Sequence, residues 1–133
     1  NKQSPLMVAI QDKATRDTLS RLNGSVFPMD TPGDPFYGAP TVIVVFADGT
    51  FRNGVKDASL VMGNLLNAAH AIGLGSCWID RAYEVFQTPE GKALMKAWGV
   101  DEKYVGVGNC ILGYPGQTVA PPPRKADYVR KIL

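Results

Sequence analysis

Residues 57–72 constrain the fold more than any other segment. Ala58, Leu60, Val61, Met62, Leu65, Leu66, Ala68, Ala69, Ala71 and Ile72 fall nearly all round one helical wheel. A helix that is apolar on every side must be covered on every side, by a core or by another subunit. A chain of 133 residues is expected to form one domain with a single core. A subunit interface is therefore the more economical cover for that helix.

The flanking residues set out an alternation of strands and helices. Residues 6–10 (Leu-Met-Val-Ala-Ile) read as a strand opened by Pro5, and residues 12–22 as a helix. Residues 41–46 (Thr-Val-Ile-Val-Val-Phe) are a β-branched run of the kind a strand buried on both faces requires. Gly73-Leu74-Gly75 ends the apolar helix, with glycine available for the left-handed cap, and residues 76–79 form a short strand. Thr88-Pro89-Glu90 starts a helix with a hydroxyl cap, a proline at the first helical position and an acid in the first turn. That helix ends at Gly99, and residues 104–112 are the last strand. Residues 23–40 are the one long connection, rich in Gly, Pro and Asp, and a loop of that length usually serves a site. Gly and Pro make up 24 of the 133 residues, which excludes a plain helical bundle.

Charge and cysteine content narrow the function classes. A net charge of +2 is too small for a general nucleic-acid binder. No apolar run reaches the roughly 18–20 residues of a membrane-spanning helix. The start, Asn1-Lys2-Gln3-Ser4-Pro5, carries neither an initiator Met nor a signal-peptide core, so a processed chain or part of a longer one is expected. Cys77 and Cys110 lie in apolar strands without a C-x-x-C spacing, and His70 is the single histidine. These support neither a zinc site nor a disulfide scaffold and point to two buried, reduced thiols in a cytoplasmic protein, with His70 in a structural or surface role. A thiol redox protein using both cysteines would need accessible, acidic thiols, which apolar surroundings oppose.

The usual catalytic motifs are missing. There is no G-x-S-x-G, P-loop or H-E-x-x-H, and Asp80 and Glu84 read as a solvated face. Two features carry more. Arg124-Lys125 follows three prolines, which project two cations to a fixed place, and arginine matches phosphate oxygens with a planar fork. Asn1-x-Gln3 offers two amides able to donate and accept at the edge of a heterocycle. An enzyme without its own catalytic residues would work through a bound cofactor.

Four segments in the same order resemble the nitroreductase family of flavin enzymes. They are Asp34-Pro35-Phe36-Tyr37-Gly38-Ala39-Pro40, the stretch DASLVMGNLLNAAHAIGLGSCWI at 57–79, Asn109-Cys110-Ile111-Leu112-Gly113-Tyr114-Pro115, and Pro123-Arg124-Lys125. The resemblance implies an α+β fold, a mixed sheet flanked by helices, in a homodimer with FMN between the subunits. Residues 57–72 would be the long interface helix. It implies two-electron transfer from NADH or NADPH to nitroaromatics, quinones or other electron-poor acceptors. Arg124 and Lys125 match residues that reach the FMN phosphate, and Asn1 and Gln3 match an N-x-Q that contacts the flavin. Ser76, Cys77, Trp78, Ile79 and Asp80 match the strand end beside the isoalloxazine, where a backbone N–H near Asp80 would bond flavin N5. A donor there favours the reduced flavin.

The family usually carries an Arg-x-Ser-x-Arg helix that would precede Asn1. Ser4-Pro5 replaces the usual Pro-Trp, and Asp80-Arg81 replaces another pair. The alternative is a non-catalytic dimeric relative that binds flavin weakly.

Overall fold

The computed structural model describes residues 2–26, 33–117 and 120–132. Among the described residues, four strands and four helices follow one another in the order β1 (Pro5–Ile10), α1 (Lys13–Ser25), β2 (Thr41–Asp48), α2 (Gly54–Ala71), β3 (Gly75–Ile79), α3 (Ala82–Val85), α4 (Pro89–Ala97) and β4 (Tyr104–Gly113). The sheet order is β1-β2-β4-β3. All three pairings are antiparallel, where the resemblance implied a mixed sheet. The element left out of the sequence reading is α3, a single turn too short to show a period.

β2 is central, and its unbroken apolar run is buried on both faces as expected. Val42, Val44 and Phe46 face a core built with Leu19, Leu22, Val85 and Phe86 from the α1, α3 and α4 side. Val45 and Ala47 face a second core with Ala58 and Met62 of α2. The sheet is therefore the middle layer between α2 and the other helices. Phe86 anchors the first core, its ring centroid 4.8 Å from that of Phe46 and 5.9 Å from that of Trp98.

An irregularity between Val45 and Phe46 inserts one extra residue in β4, because Val45 pairs with Gly108 and Phe46 with Gly106. It reverses which β4 residues face which layer. Gly106 lies under α3, and strict alternation would send residue 109 to the α2 side. With the bulge, Ile111 joins the first core and Cys110 the second, so Asn109 turns toward α1 and α3.

Helix α2 begins three residues before the expected start. The apolar spacing predicts a start at Asp57. In the structure the chain turns onto the helix by bonds from Phe51 N–H to the Asp48 carbonyl (3.1 Å) and Gly54 N–H to the Phe51 carbonyl (2.8 Å). Gly54 is required there, since a Cβ would stand 2.3 Å from the Asp48 carbonyl oxygen. Asp57 instead accepts a hydrogen bond from the buried Ser4 hydroxyl (2.9 Å), tying the start of β1 to the first turn of α2. The helix is not covered on every side within this chain. Gly54, Ala58, Met62 and Ala69 are buried, whereas Leu60 and Ile72 keep 70% and 75% of their surface exposed. No described helix is long and apolar enough to cross a membrane.

Candidate functional site

The segment Ser76–Asp80 leads along β3 into a sharp turn. β3 is an edge strand with β4 as its hydrogen-bonded neighbour. Cross-strand partners share a face, so Cys77, opposite Ile111, and Ile79, opposite Asn109, look toward the α1 side of the sheet. Ser76 and Trp78 look the other way. The Trp78 indole packs against β4 at residue 108, which has no side chain: a Cβ there would be 2.4 Å from the indole nitrogen. At residue 106 a Cβ would be 2.5 Å from the Ala82 carbonyl oxygen, so Gly106 seats α3 directly on the sheet.

Two fully buried amides hold the turn after β3. Asn23 on α1 donates from Nδ2 to the Asp80 carbonyl at 2.8 Å. Asn109 Nδ2 lies 3.4 Å from the Ile79 carbonyl and 3.5 Å from that of Asp80. Both Oδ1 atoms are buried without a hydrogen-bond partner. Arg81 follows with φ +76°, in the left-handed region that a non-glycine residue occupies at a cost of about 1–2 kcal/mol.

Beside the opposite end of β3, the segment 37–40 and the chain after β4 enclose an open cleft of about 400 Å³. Cys77, Ser76, Ile111, Tyr37, Tyr114 and Gln117 are among its walls. Its rim is fixed by Asp34. The Asp34 carboxylate accepts from the N–H groups of Phe36 (2.9 Å) and Gly38 (2.8 Å), from the Ser20 hydroxyl, and from the Arg16 guanidinium. Arg16 also donates to the Ala39 carbonyl at 3.1 Å. Burial pushes the Asp34 carboxyl up, but the Ser20 hydroxyl, Arg16 and the two backbone donors outweigh it and hold it well below the usual carboxylate range.

Cys77 is exposed at this cleft, which corrects the expectation of two buried thiols; the alternation of β3 puts it on an open part of the edge strand. Cys110 is buried in the α2 core, where burial pushes its thiol up. The two lie on opposite faces of the sheet, so they form no dithiol pair. His70 is exposed on α2.

The remaining expected residues are spread out. Gln3 is exposed just before β1, at one edge of the sheet, while β3 is the other edge. Three strand spacings, about 14 Å, separate those edges. Arg124 and Lys125 are exposed beyond β4, with the Arg124 guanidinium 5.8 Å from the centre of the Tyr128 ring. Asn1 lies outside the described residues.

A model of the nitroreductase family matches residues 5–114. The chain belongs to the nitroreductase family. It is 30% identical over 83 residues to a provisionally named NADH dehydrogenase/NAD(P)H nitroreductase of Methanothermobacter thermautotrophicus. That alignment covers 59% of this chain and 42% of the relative, so the chain matches less than half the length of that protein. An FMN-bound nitroreductase of Bacteroides fragilis superposes with a TM-score of 0.87 at 22% identity, covering 100% of this chain and 78% of that one. An FMN-bound nitroreductase of Desulfitobacterium hafniense gives 0.87 at 19% identity, over 99% and 77% of the two chains. These likenesses establish the nitroreductase fold.

Within that fold, four residues that sequence reasoning gave no role hold the site's backbone. Arg16, Ser20, Asn23 and Asn109 each reach a carbonyl or carboxylate distant in sequence. Asn109 and Asp34 stood in the segments of family resemblance, but nothing local in the sequence marked them as brackets. Asn23 sat beside Gly24 and read as the start of a loop, whereas α1 runs on through it.

Proposed function

We propose that the chain is an FMN-dependent oxidoreductase that passes two electrons from NAD(P)H to electron-poor acceptors such as nitroaromatics or quinones, working as a homodimer. The observation that carries this reading is β3 and its turn. An edge strand leaves backbone donors and acceptors available to a ligand, and here it ends in a turn fixed by two buried amides. The donor set fits the chemistry of a flavin mononucleotide. Backbone N–H groups near Asp80 suit an acceptor-rich ring, the Gln3 amide suits its polar edge or ribityl chain, and Arg124 and Lys125 suit a phosphate.

When bound, FMN would supply the two-electron carrier, with N5 accepting hydride. The chain's own part is to orient the ring, keep water from it and hold the phosphate. Ser76, Cys77, Trp78, Ile79 and Asp80 would line the ring through their backbone, so their side-chain identities matter less than the path of the strand. The segment 23–40 would tune the acceptor, since its residues Tyr37, Gly38, Ala39 and Pro40 border the open cleft. The outer face of α2, with Leu60 and Ile72 exposed, supports a second copy of this chain as its cover. Two thiols without a disulfide fit a cytoplasmic setting.

Titrating the protein with FMN and following flavin fluorescence tests the reading. Arg124→Ala is expected to weaken binding roughly 10–100-fold, the loss of one charge-assisted phosphate contact. Equal affinity in the two proteins would remove Arg124 from the phosphate site. A colourless preparation that cannot be reconstituted would overturn the flavin reading itself.

A further inference from the structure

We propose that Asn23 and Asn109 are positioning residues, which set the peptides around Asp80 so that its backbone N–H is presented to the flavin ring. This rests on the FMN reading above and adds to it the device that aims the donor. The Ile79 and Asp80 carbonyls are both drawn toward the protein interior, one by Asn109 and the other by both amides. Every described peptide bond is trans. In a trans peptide the N–H points opposite to the carbonyl of the same unit. Drawing the Ile79 carbonyl inward therefore turns the Asp80 N–H outward, and the next carbonyl locks the following plane.

The cost of the arrangement supports a purpose. Each amide buries an unpartnered Oδ1, a loss of the kind a core residue would be expected to avoid. An apolar residue of similar size at 23 or 109 would remove that loss and leave the carbonyls unheld. The turn also keeps Arg81 left-handed where a glycine would relax it. Three local rules are broken at one turn, each in favour of the same backbone geometry, and such clustering marks functional sites. The two amides arrive from separate elements, α1 and β4, and the bulge in β4 is what brings Asn109 to this face. Asn23, at 2.8 Å, is the stronger clamp.

The test uses the full chain, labelled with ¹⁵N and titrated with FMN, in the wild type, Asn23→Ala, Asn23→Ser and Asn109→Ala. Two quantities are read: the displacement of the Asp80 amide resonance on FMN binding, and the midpoint potential of bound flavin against a reference dye. Wild type should show a large Asp80 displacement. Asn23→Ala should lose more than half of it, and its preference for reduced over oxidised FMN should fall about ten-fold, or about 30 mV for a two-electron couple. Affinity for oxidised FMN should change less, because the phosphate contacts remain. Asn23→Ser, which keeps a donor, should recover part of both effects. If Asn23→Ala does not fold, Asn109→Ala and Asn23→Ser are expected to show the same changes in smaller degree. Flavin-loaded variants with an unchanged Asp80 displacement and potential would overturn the clamp and leave the FMN reading standing. A wild type that takes up no FMN would overturn both.

Discussion

Gly106 is a residue that the fold holds to glycine. The Ala82 carbonyl oxygen 2.5 Å from a Cβ at this position belongs to the backbone of α3 and cannot rotate aside. Gly106→Ala should therefore destabilise the protein by about 2–3 kcal/mol, read as a shift in the urea midpoint at unchanged slope. Asp34 is the residue that couples stability to acid. Its native carboxyl sits well below the ordinary carboxylate value near 3.9, because the donors around it prefer the charged form. Stability from this group is complete above that ordinary value and is lost as pH falls below it, toward the native pKa. Asp34→Asn should accordingly lower the Tm at pH 7, and the gap from wild type should narrow between pH 5 and pH 2. A gap of constant size across that range would show that Asp34 acts through packing alone.

The start of α4 was the best-read helix end. Thr88 caps α4 as its sequence implied, its hydroxyl accepting from the Gly91 N–H at 3.0 Å with Pro89 at the first position. The same hydroxyl donates to the Val85 carbonyl at 2.7 Å, joining α3 to α4. Thr88→Ala should cost about 1 kcal/mol, measured by thermal unfolding. Asp12 likewise caps α1 through the Thr15 N–H at 2.8 Å, though the sequence reading counted it as the first helical residue. Local rules succeed here because a cap's partner lies within three residues. They failed for α2, whose start is set by a close approach to Asp48 rather than by a capping side chain.

At the scale of the whole molecule, the outer face of α2 is the feature with the largest consequence. Light scattering at micromolar concentration should report a dimer, and Leu60→Glu should shift it toward monomer, since a buried unpaired charge opposes association. A wild-type monomer would remove α2 from the interface. The cleft between segment 37–40, β3 and the chain after β4 is the second whole-molecule feature, and no single element would have suggested it.

The sequence by itself determined the strands, the cap of α4, the doubly buried centre of β2 and the family. Each of these rests on local pattern or on matched segments, which a linear reading contains. The tertiary structure decided the bulge in β4, the burial of Asn23 and Asn109, the exposure of Cys77 and the role of Asp34. All four depend on which side of a strand or helix meets another element. One extra residue in a ladder reverses every later side chain, and that register is set by packing between distant segments.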